Sequence, residues 1–224
     1  MGAPTYPPLY ENRHEGGYVV WDPSDGMLTR EGIILLSGSG VCLTGLVLGA
    51  ELTGAAAISA ALGTNTGNGA MGAIAVASPA KVGDYHLLFI EPAANAGTFV
   101  VEDPDGVEIG HGNVGVAFNA GGLSFTLADG ATDFVSGDSL TISVTGVVKY
   151  GPFDPTATNG LQRAAAILWS GWRDATSADR RAVANVRGPM KVQAAELLWG
   201  ANVTTTQQQT AALAQLAKLG ILNV

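Results

Sequence analysis

The sequence predicts an α+β protein, with a small, mixed, β-rich base that ends in two C-terminal helices and an inserted all-β, sandwich-like domain. Three observations favour this class. The 224 residues include 31 glycines, 47% hydrophobic residues and 13% charged residues, which is typical of many short strands joined by tight turns. Apolar and polar residues alternate strictly in the middle of the chain. Helix-forming Ala, Leu and Gln residues are concentrated at its end.

Composition and charge divide the chain into three parts. We expect residues 1–17, which contain three prolines and no sustained periodicity, to form a flexible N-terminal arm. Residues 18–62 and 147–224 are predicted to form a discontinuous base domain. Residues 63–146 are predicted to form an inserted acidic β-sandwich domain, because they contain nine acidic residues and a single basic one, a formal charge of −8. The remainder of the chain is formally neutral, since the whole chain also carries −8.

The base is predicted to begin with a strand at Tyr18–Trp21, which has the composition of a β-strand. The sequence Asp22-Pro-Ser-Asp-Gly26 is a strong turn signal that ends this strand. Further base strands are predicted at residues 30–36, 41–48, 164–169 and 180–186.

Two helices are expected near the C-terminus. The first covers Gln193–Trp199, which is rich in Ala and Leu and is followed by Gly200, a common residue just beyond a helix end. The second is expected to begin near Thr204–Thr206, whose hydroxyls suit an N-cap, and to run to Leu219.

The inserted domain shows the alternation of half-buried strands. In two stretches every second residue is apolar, so that one face of the strand is apolar and the other polar. The apolar residues are Leu123, Phe125 and Leu127 in the first stretch, and Leu140, Ile142 and Val144 in the second. Additional strands are predicted at residues 85–90, 98–102 and 107–109. Two packed sheets are the natural way to bury such faces.

The residue pattern indicates no catalytic, cofactor or metal site. The single cysteine, Cys42, excludes an intrachain disulfide and any cysteine-based zinc site. His14, His86 and His111 lack the spacing of a metal pair, and no nucleophile and base are found together. We therefore expect a protein that is not an enzyme and that uses no cofactor. The acidic balance argues against a nucleic-acid partner, and we expect no signal peptide or membrane span.

Three segments near the C-terminus occur in a specific order: Arg163–Trp169, Ala194–Gly200 and the tail Gly220–Val224. In this order they closely resemble the end of the lambda-like head decoration proteins of tailed phages. The resemblance is clearest over residues 18–59 and 149–224.

The resemblance implies a structural virion protein on the outer surface of the capsid, assembled in the host cytoplasm. Members of the family sit as homotrimers at the local three-fold positions of the expanded phage head, bind the major capsid protein and stabilise the capsid. Their N-terminal arm adds a strand to the capsid protein, a contact in which main-chain pairing provides much of the affinity.

Site residues follow from this resemblance. Because prolines cannot donate the hydrogen bonds of a strand ladder, we expect the capsid-pairing strand to lie beyond them, at Tyr18, Val19, Val20 and Trp21. Side-chain anchors are expected at Tyr6 and Tyr10, and a trimer contact at Trp199.

Charge and aromatic content bear on the inserted domain. Its charge of −8 favours an orientation toward solvent, where like charges are tolerated. The alternative function is a surface adhesion module that binds host glycan through this domain. Sugar sites usually expose flat aromatic rings, whereas residues 63–146 contain no tryptophan and one tyrosine, Tyr85.

Overall fold

A computed structural model describes residues 13–224, and this part of the chain is predominantly β. The predicted α+β class is wrong, because strands account for 47% of the residues and helices for 8%. The strands are β1 Val19–Trp21, β2 Arg30–Leu35, β3 Gly40–Cys42, β4 Val47–Ala61, β5 Ala75–Val76, β6 Gly83–Ala93, β7 Ala96–Glu102, β8 Glu108–Asn113, β9 Ala117–Ala120, β10 Leu123–Thr126, β11 Ser139–Pro152, β12 Ala164–Leu168, β13 Arg173–Ala175, β14 Arg180–Asn185, β15 Met190–Val192 and β16 Ile221–Asn223. The single α-helix within the described residues is α1, Thr206–Lys218.

The chain forms two compact units. The first, the base unit, contains the described residues up to Ala50 together with Tyr150–Ala157 and Leu161–Val224. The second, the acidic unit, contains Glu51–Lys149 and Thr158–Gly160. Strands β4 and β11 have residues in both units.

The base unit is built around a five-stranded barrel in the order β2-β14-β12-β4-β11. The barrel closes because Tyr150 of β11 pairs in parallel with Leu35 of β2. Alternate side chains of these strands point inward, so that Leu35, Leu48 and Leu168 are fully buried. A separate sheet has the order β1-β15-β16, and β3 pairs with β13.

The first of the two predicted C-terminal helices, over Gln193–Trp199, does not form. Only Ala194–Glu196 makes a single 3-10 turn, and Leu197 is already extended. The next residue pairs with the start of β4, where the Val47 N–H donates to the carbonyl of Leu198 over 2.9 Å. Because Leu197 is also buried, tertiary pairing and packing outweigh the local helix propensity of this segment.

The second predicted helix forms as α1. Thr205 is its N-cap, and the Thr205 hydroxyl and the Gln208 side chain satisfy each other's backbone N–H groups as a capping box. Ala212 and Leu216 are buried against the base core. Within residues 13–224 no helix combines the length and the apolar character that a membrane crossing requires.

The acidic unit has one core between two groups of strands. Strands β11, β6, β7 and β8 are neighbours in one sheet, and β5, β10 and β9 form another. Inward side chains of both sheets share a single apolar cluster: Tyr85, Leu87, Phe89, Phe99, Val101, Val114, Phe118, Leu123, Phe125, Leu127, Phe134, Leu140, Ile142 and Val144. The alternating apolar residues predicted from the sequence therefore form the core of this unit.

Candidate functional site

Strand β1 lies at the edge of the three-stranded sheet of the base unit. It pairs antiparallel with β15, and β15 pairs in parallel with β16. On its other side β1 has no strand neighbour among residues 13–224, and the Val19 N–H there donates within the chain, to the Gly16 carbonyl over 2.9 Å. Such an edge offers backbone N–H and C=O groups that a strand from another chain can pair with.

Two exposed apolar side chains, Val20 and Trp21, lie on this edge strand. Trp21 lies opposite Lys191, and Lys191 lies opposite Leu222, so these three side chains share one face of the sheet. Trp21 is 51% exposed and Leu222 47%. Val20, at the irregularity in the β1–β15 pairing, is 55% exposed. We call Val20, Trp21, Lys191 and Leu222, with the free edge of β1, the β1 surface.

Tyr18, by contrast, lies inside the base unit. Its hydroxyl donates to Oδ1 of Asn185 over 2.6 Å, and Nδ2 of Asn185 donates to Oγ1 of Thr29 over 3.2 Å. The Thr29 hydroxyl in turn donates to Oδ2 of Asp22 over 2.6 Å. Burial raises the pKa of the Tyr18 phenol, which keeps the hydroxyl protonated as a donor. This buried chain of hydrogen bonds fixes β1 and the turn that follows it to β14.

The carboxylate at the end of this chain stays ionised. Burial raises the pKa of Asp22, but hydrogen bonds from Thr29 and Ser24, together with the charge of Arg30, outweigh burial and lower the pKa below its ordinary value. The Arg30 guanidinium is itself stacked 3.3 Å from the centre of the Trp169 ring.

Replacing Tyr18 by phenylalanine is expected to lower the free energy of unfolding by about 1–3 kcal/mol, because Oδ1 of Asn185 then has no donor inside the core. Urea unfolding followed by circular dichroism measures this change. Tyr150→Phe is the matched control, since the Tyr150 hydroxyl makes no side-chain hydrogen bond among the described residues. Equal destabilisation by the two substitutions would show that the Asn185 bond contributes nothing.

The described residues just before β1 contact the base unit. The Arg13 guanidinium pairs with the Glu196 carboxylate, with Nη2 3.5 Å from Oε2. The Gly171 N–H donates to Oε1 of Glu15 over 2.8 Å. Both predicted anchors, Tyr6 and Tyr10, fall outside the described residues.

Arg13 also borders a cavity of about 200 Å³ in the base unit, which is lined in addition by Leu43, Thr44, Gly171 and Trp172. Trp172 is 62% exposed. Arg13, the first residue that the structure describes, therefore lies next to an exposed aromatic ring.

Trp199, the predicted trimer contact, is half-buried. Its ring packs against the base core cluster that includes Phe153 and Leu197. Gly200 follows it, and a Cβ there would come within 2.3 Å of the carbonyl oxygen of Phe153. Part of the Trp199 side chain is accessible, so the trimer contact stays a prediction.

The acidic unit presents no phenylalanine or tyrosine ring to solvent. All of residues 51–149 are described, and their six aromatic side chains are each at most 4% exposed: Tyr85, Phe89, Phe99, Phe118, Phe125 and Phe134. Its charged groups serve local structure at one turn, where Lys81 pairs with Asp103 and with Asp105. Within residues 13–224, no three His, Cys, Asp or Glu side chains lie close enough together to hold a metal ion.

An apolar strand edge on a well-packed β unit is typical of a protein that binds other protein chains. The family is shown by sequence comparison. The model of the family of bacteriophage lambda head decoration protein D matches residues 8–221. The chain belongs to this family, and the resemblance noted in the sequence is confirmed. It is thus a phage head decoration protein of the structural, capsid-associated kind.

The solved structures that match this chain resemble it only weakly. FlgL from Xanthomonas campestris, in two crystal forms, matches 47% of this chain with 23% and 21% identity and a TM-score of 0.32. The flagellar junction protein FlgL from Legionella pneumophila matches 46% with 14% identity and a TM-score of 0.33. This chain spans 33% to 37% of those proteins, and at such TM-scores the likeness carries no argument. A search of curated proteins gave no match.

Proposed function

We propose that the protein binds the outside of the expanded phage head as homotrimers at the local three-fold positions, with the major capsid protein as its partner, and stabilises the shell. Family membership supports the capsid location. Stabilisation requires no chemistry, because surface buried across the boundary between capsomers resists their separation. We accordingly propose no catalytic role and no cofactor.

The observation that supports this mode of binding best is the β1 surface. A free strand edge beside exposed Val20 and Trp21 gives a partner both backbone hydrogen bonds and apolar contact. Tyr18 serves a different purpose, because its buried side chain holds the strand in place. We propose that capsid pairing begins at this edge and extends along the N-terminal arm, with Tyr6 and Tyr10 as anchors.

For the inserted domain, residues 63–146, we propose an orientation toward solvent. Its charge of −8 favours water over close contact with another protein surface, and it keeps particles apart. The glycan-binding alternative gains no support, since every phenylalanine and tyrosine ring of the acidic unit is buried.

Binding to heads tests the proposal. Purified full-length protein is mixed with expanded, undecorated heads and with unexpanded shells, and the bound fraction is measured after sedimentation. We expect saturable binding to expanded heads alone. Deletion of residues 2–12 is expected to weaken this binding at least tenfold, about 1.4 kcal/mol, while the thermal unfolding of the protein stays unchanged. Failure of the full-length protein to bind either particle would overturn the proposal.

A further inference from the structure

The turn between β1 and β2 carries two of the most exposed apolar side chains of the base unit. Met27 is 87% exposed and Leu28 65%. Asp25, two residues before Met27, is exposed and makes no ion pair among the described residues. We call Asp25, Met27 and Leu28 the tip. An exposed pair of large apolar residues beside a charge is typical of a contact surface.

Hydrogen bonds hold this turn in one conformation. Oδ1 of Asp22 accepts from the Ser24 N–H over 3.0 Å, and the Ser24 hydroxyl oxygen accepts from the Leu28 N–H over 3.2 Å. Nε of Arg187 donates to the Leu28 carbonyl over 3.0 Å. Because the turn is already ordered, less conformational entropy is lost when a partner binds the tip.

A cleft of complementary character lies on the base unit, between the start of β12 and the C-terminal end of α1. Its volume is about 500 Å³, and it is lined by Arg163, Ala164, Ala165, Gln215, Lys218 and Leu219. Clefts of roughly 300–1,000 Å³ hold ligands of drug size, so there is room for the side chains of Met27 and Leu28. One wall is fixed, since the Ala164 N–H donates to Oε1 of Gln215 over 2.6 Å.

The charges of the cleft complement the tip. Arg163 and Lys218 are exposed at its rim, and neither makes an ion pair among residues 13–224. Ala165 and Leu219 provide apolar surface between them. A ligand that brings apolar side chains with one adjacent carboxylate satisfies both features.

We propose that the tip of one subunit docks into this cleft on the next copy of the chain, with Met27 and Leu28 on the apolar floor and Asp25 facing Arg163 and Lys218. The inference rests on the proposed homotrimer and names its contact. Tip and cleft are different surfaces, so the contact is head-to-tail, and three such contacts close into a ring. Each contact is small, and binding to the capsid strengthens it by raising the effective concentration of neighbouring subunits.

Disulfide trapping tests this contact. Met27→Cys and Ala165→Cys proteins are prepared separately, mixed, bound to expanded heads and oxidised. Covalent dimers are expected from the mixture, and none from either protein alone. A chain with both substitutions is expected to give covalent trimers. The native Cys42 is buried, and burial raises its pKa to about 11, so we expect this thiol to form no disulfide under these conditions. Lys218→Cys replaces Ala165→Cys if the latter protein does not fold.

Charge exchange provides the second readout. Asp25→Lys is expected to lower the yield of trapped dimer at least fivefold when the partner chain keeps its cations. A partner with Arg163→Glu and Lys218→Glu is expected to restore it. Two outcomes would refute the contact and leave the proposed function intact. One is a disulfide between two Met27→Cys proteins, and the other is the absence of a disulfide when the mixture has decorated the heads. If the unsubstituted protein decorates no heads, the proposed function fails, and the same trapping in concentrated solution decides the contact.

Discussion

Replacing Phe99 by alanine is expected to lower the free energy of unfolding of the acidic unit by about 3–5 kcal/mol. Phe99 is fully buried in strand β7. Its ring centre lies 5.8 Å from that of Phe89, 6.1 Å from that of Phe118 and 6.2 Å from that of Phe125. The substitution therefore removes the ring at the centre of the aromatic cluster and leaves a cavity.

The cavity has little chance to close. Gly112 of β8 lies against the same ring, since a Cβ at Gly112 would come within 2.4 Å of it, so one wall of the cavity is backbone. Backbone paired in a sheet relaxes less than side chains do, which places the expected cost toward the upper part of the range.

Calorimetry measures this loss and shows where it acts. The core cluster that contains Phe99 lies in the acidic unit, and the two other clusters lie in the base unit. We expect the Phe99→Ala protein to show an earlier transition for the acidic unit and an unchanged one for the base unit. Val100→Ala, on the opposite face of the same strand, is the control and is expected to cost far less. An equal shift of all transitions would show that the units unfold as one.

Much of the β structure could be predicted because its signal is local. The alternation of Leu140, Ile142 and Val144 is visible within five residues, and the same side chains are the buried ones in β11. The Ala-rich stretch after Gly54 has no such signal, yet it continues β4 to Ala61. Alanine favours neither face, so there the pairing decides the structure.

The absent helix and the unpredicted hydrogen bond of Tyr18 both depend on long-range contacts. The predicted helix over residues 193–199 is absent, because its backbone pairs with the start of β4, about 150 residues earlier. The place of Tyr18 in the capsid-pairing strand stays a prediction, and nothing in the local sequence shows that its hydroxyl reaches Asn185. Met27 and Leu28 were not predicted as a contact, although two large apolar residues directly after a turn indicate an exposed apolar patch.

Replacing Trp21 by alanine is expected to weaken binding to expanded heads roughly 30-fold or more, about 2 kcal/mol per subunit. Trp21 provides the largest apolar side chain on the β1 surface, and tryptophan is enriched among residues that dominate interface energies. In the proposed trimer three subunits bind together, so the loss in each subunit is multiplied in the binding of the whole.

The same substitution is expected to leave the folded protein intact. Trp21 is half-exposed at the end of an edge strand, and Lys191 and Leu222 beside it are also on the open face. Substitutions at such positions usually change the free energy of unfolding by less than about 0.5 kcal/mol. A loss of head binding without a change in thermal unfolding therefore assigns the effect to the interface.

Two further substitutions identify what the interface requires. Trp21→Phe keeps an aromatic ring at the same place and is expected to retain most of the binding. Val41→Ala changes an apolar residue of equal exposure, 51%, on strand β3 of the base unit, and is expected to have no effect. Titration of heads with fluorescently labelled protein measures all three. If Val41→Ala weakens binding as much as Trp21→Ala, apolar surface in general drives attachment and the β1 surface loses its special role; if neither does, capsid pairing lies elsewhere.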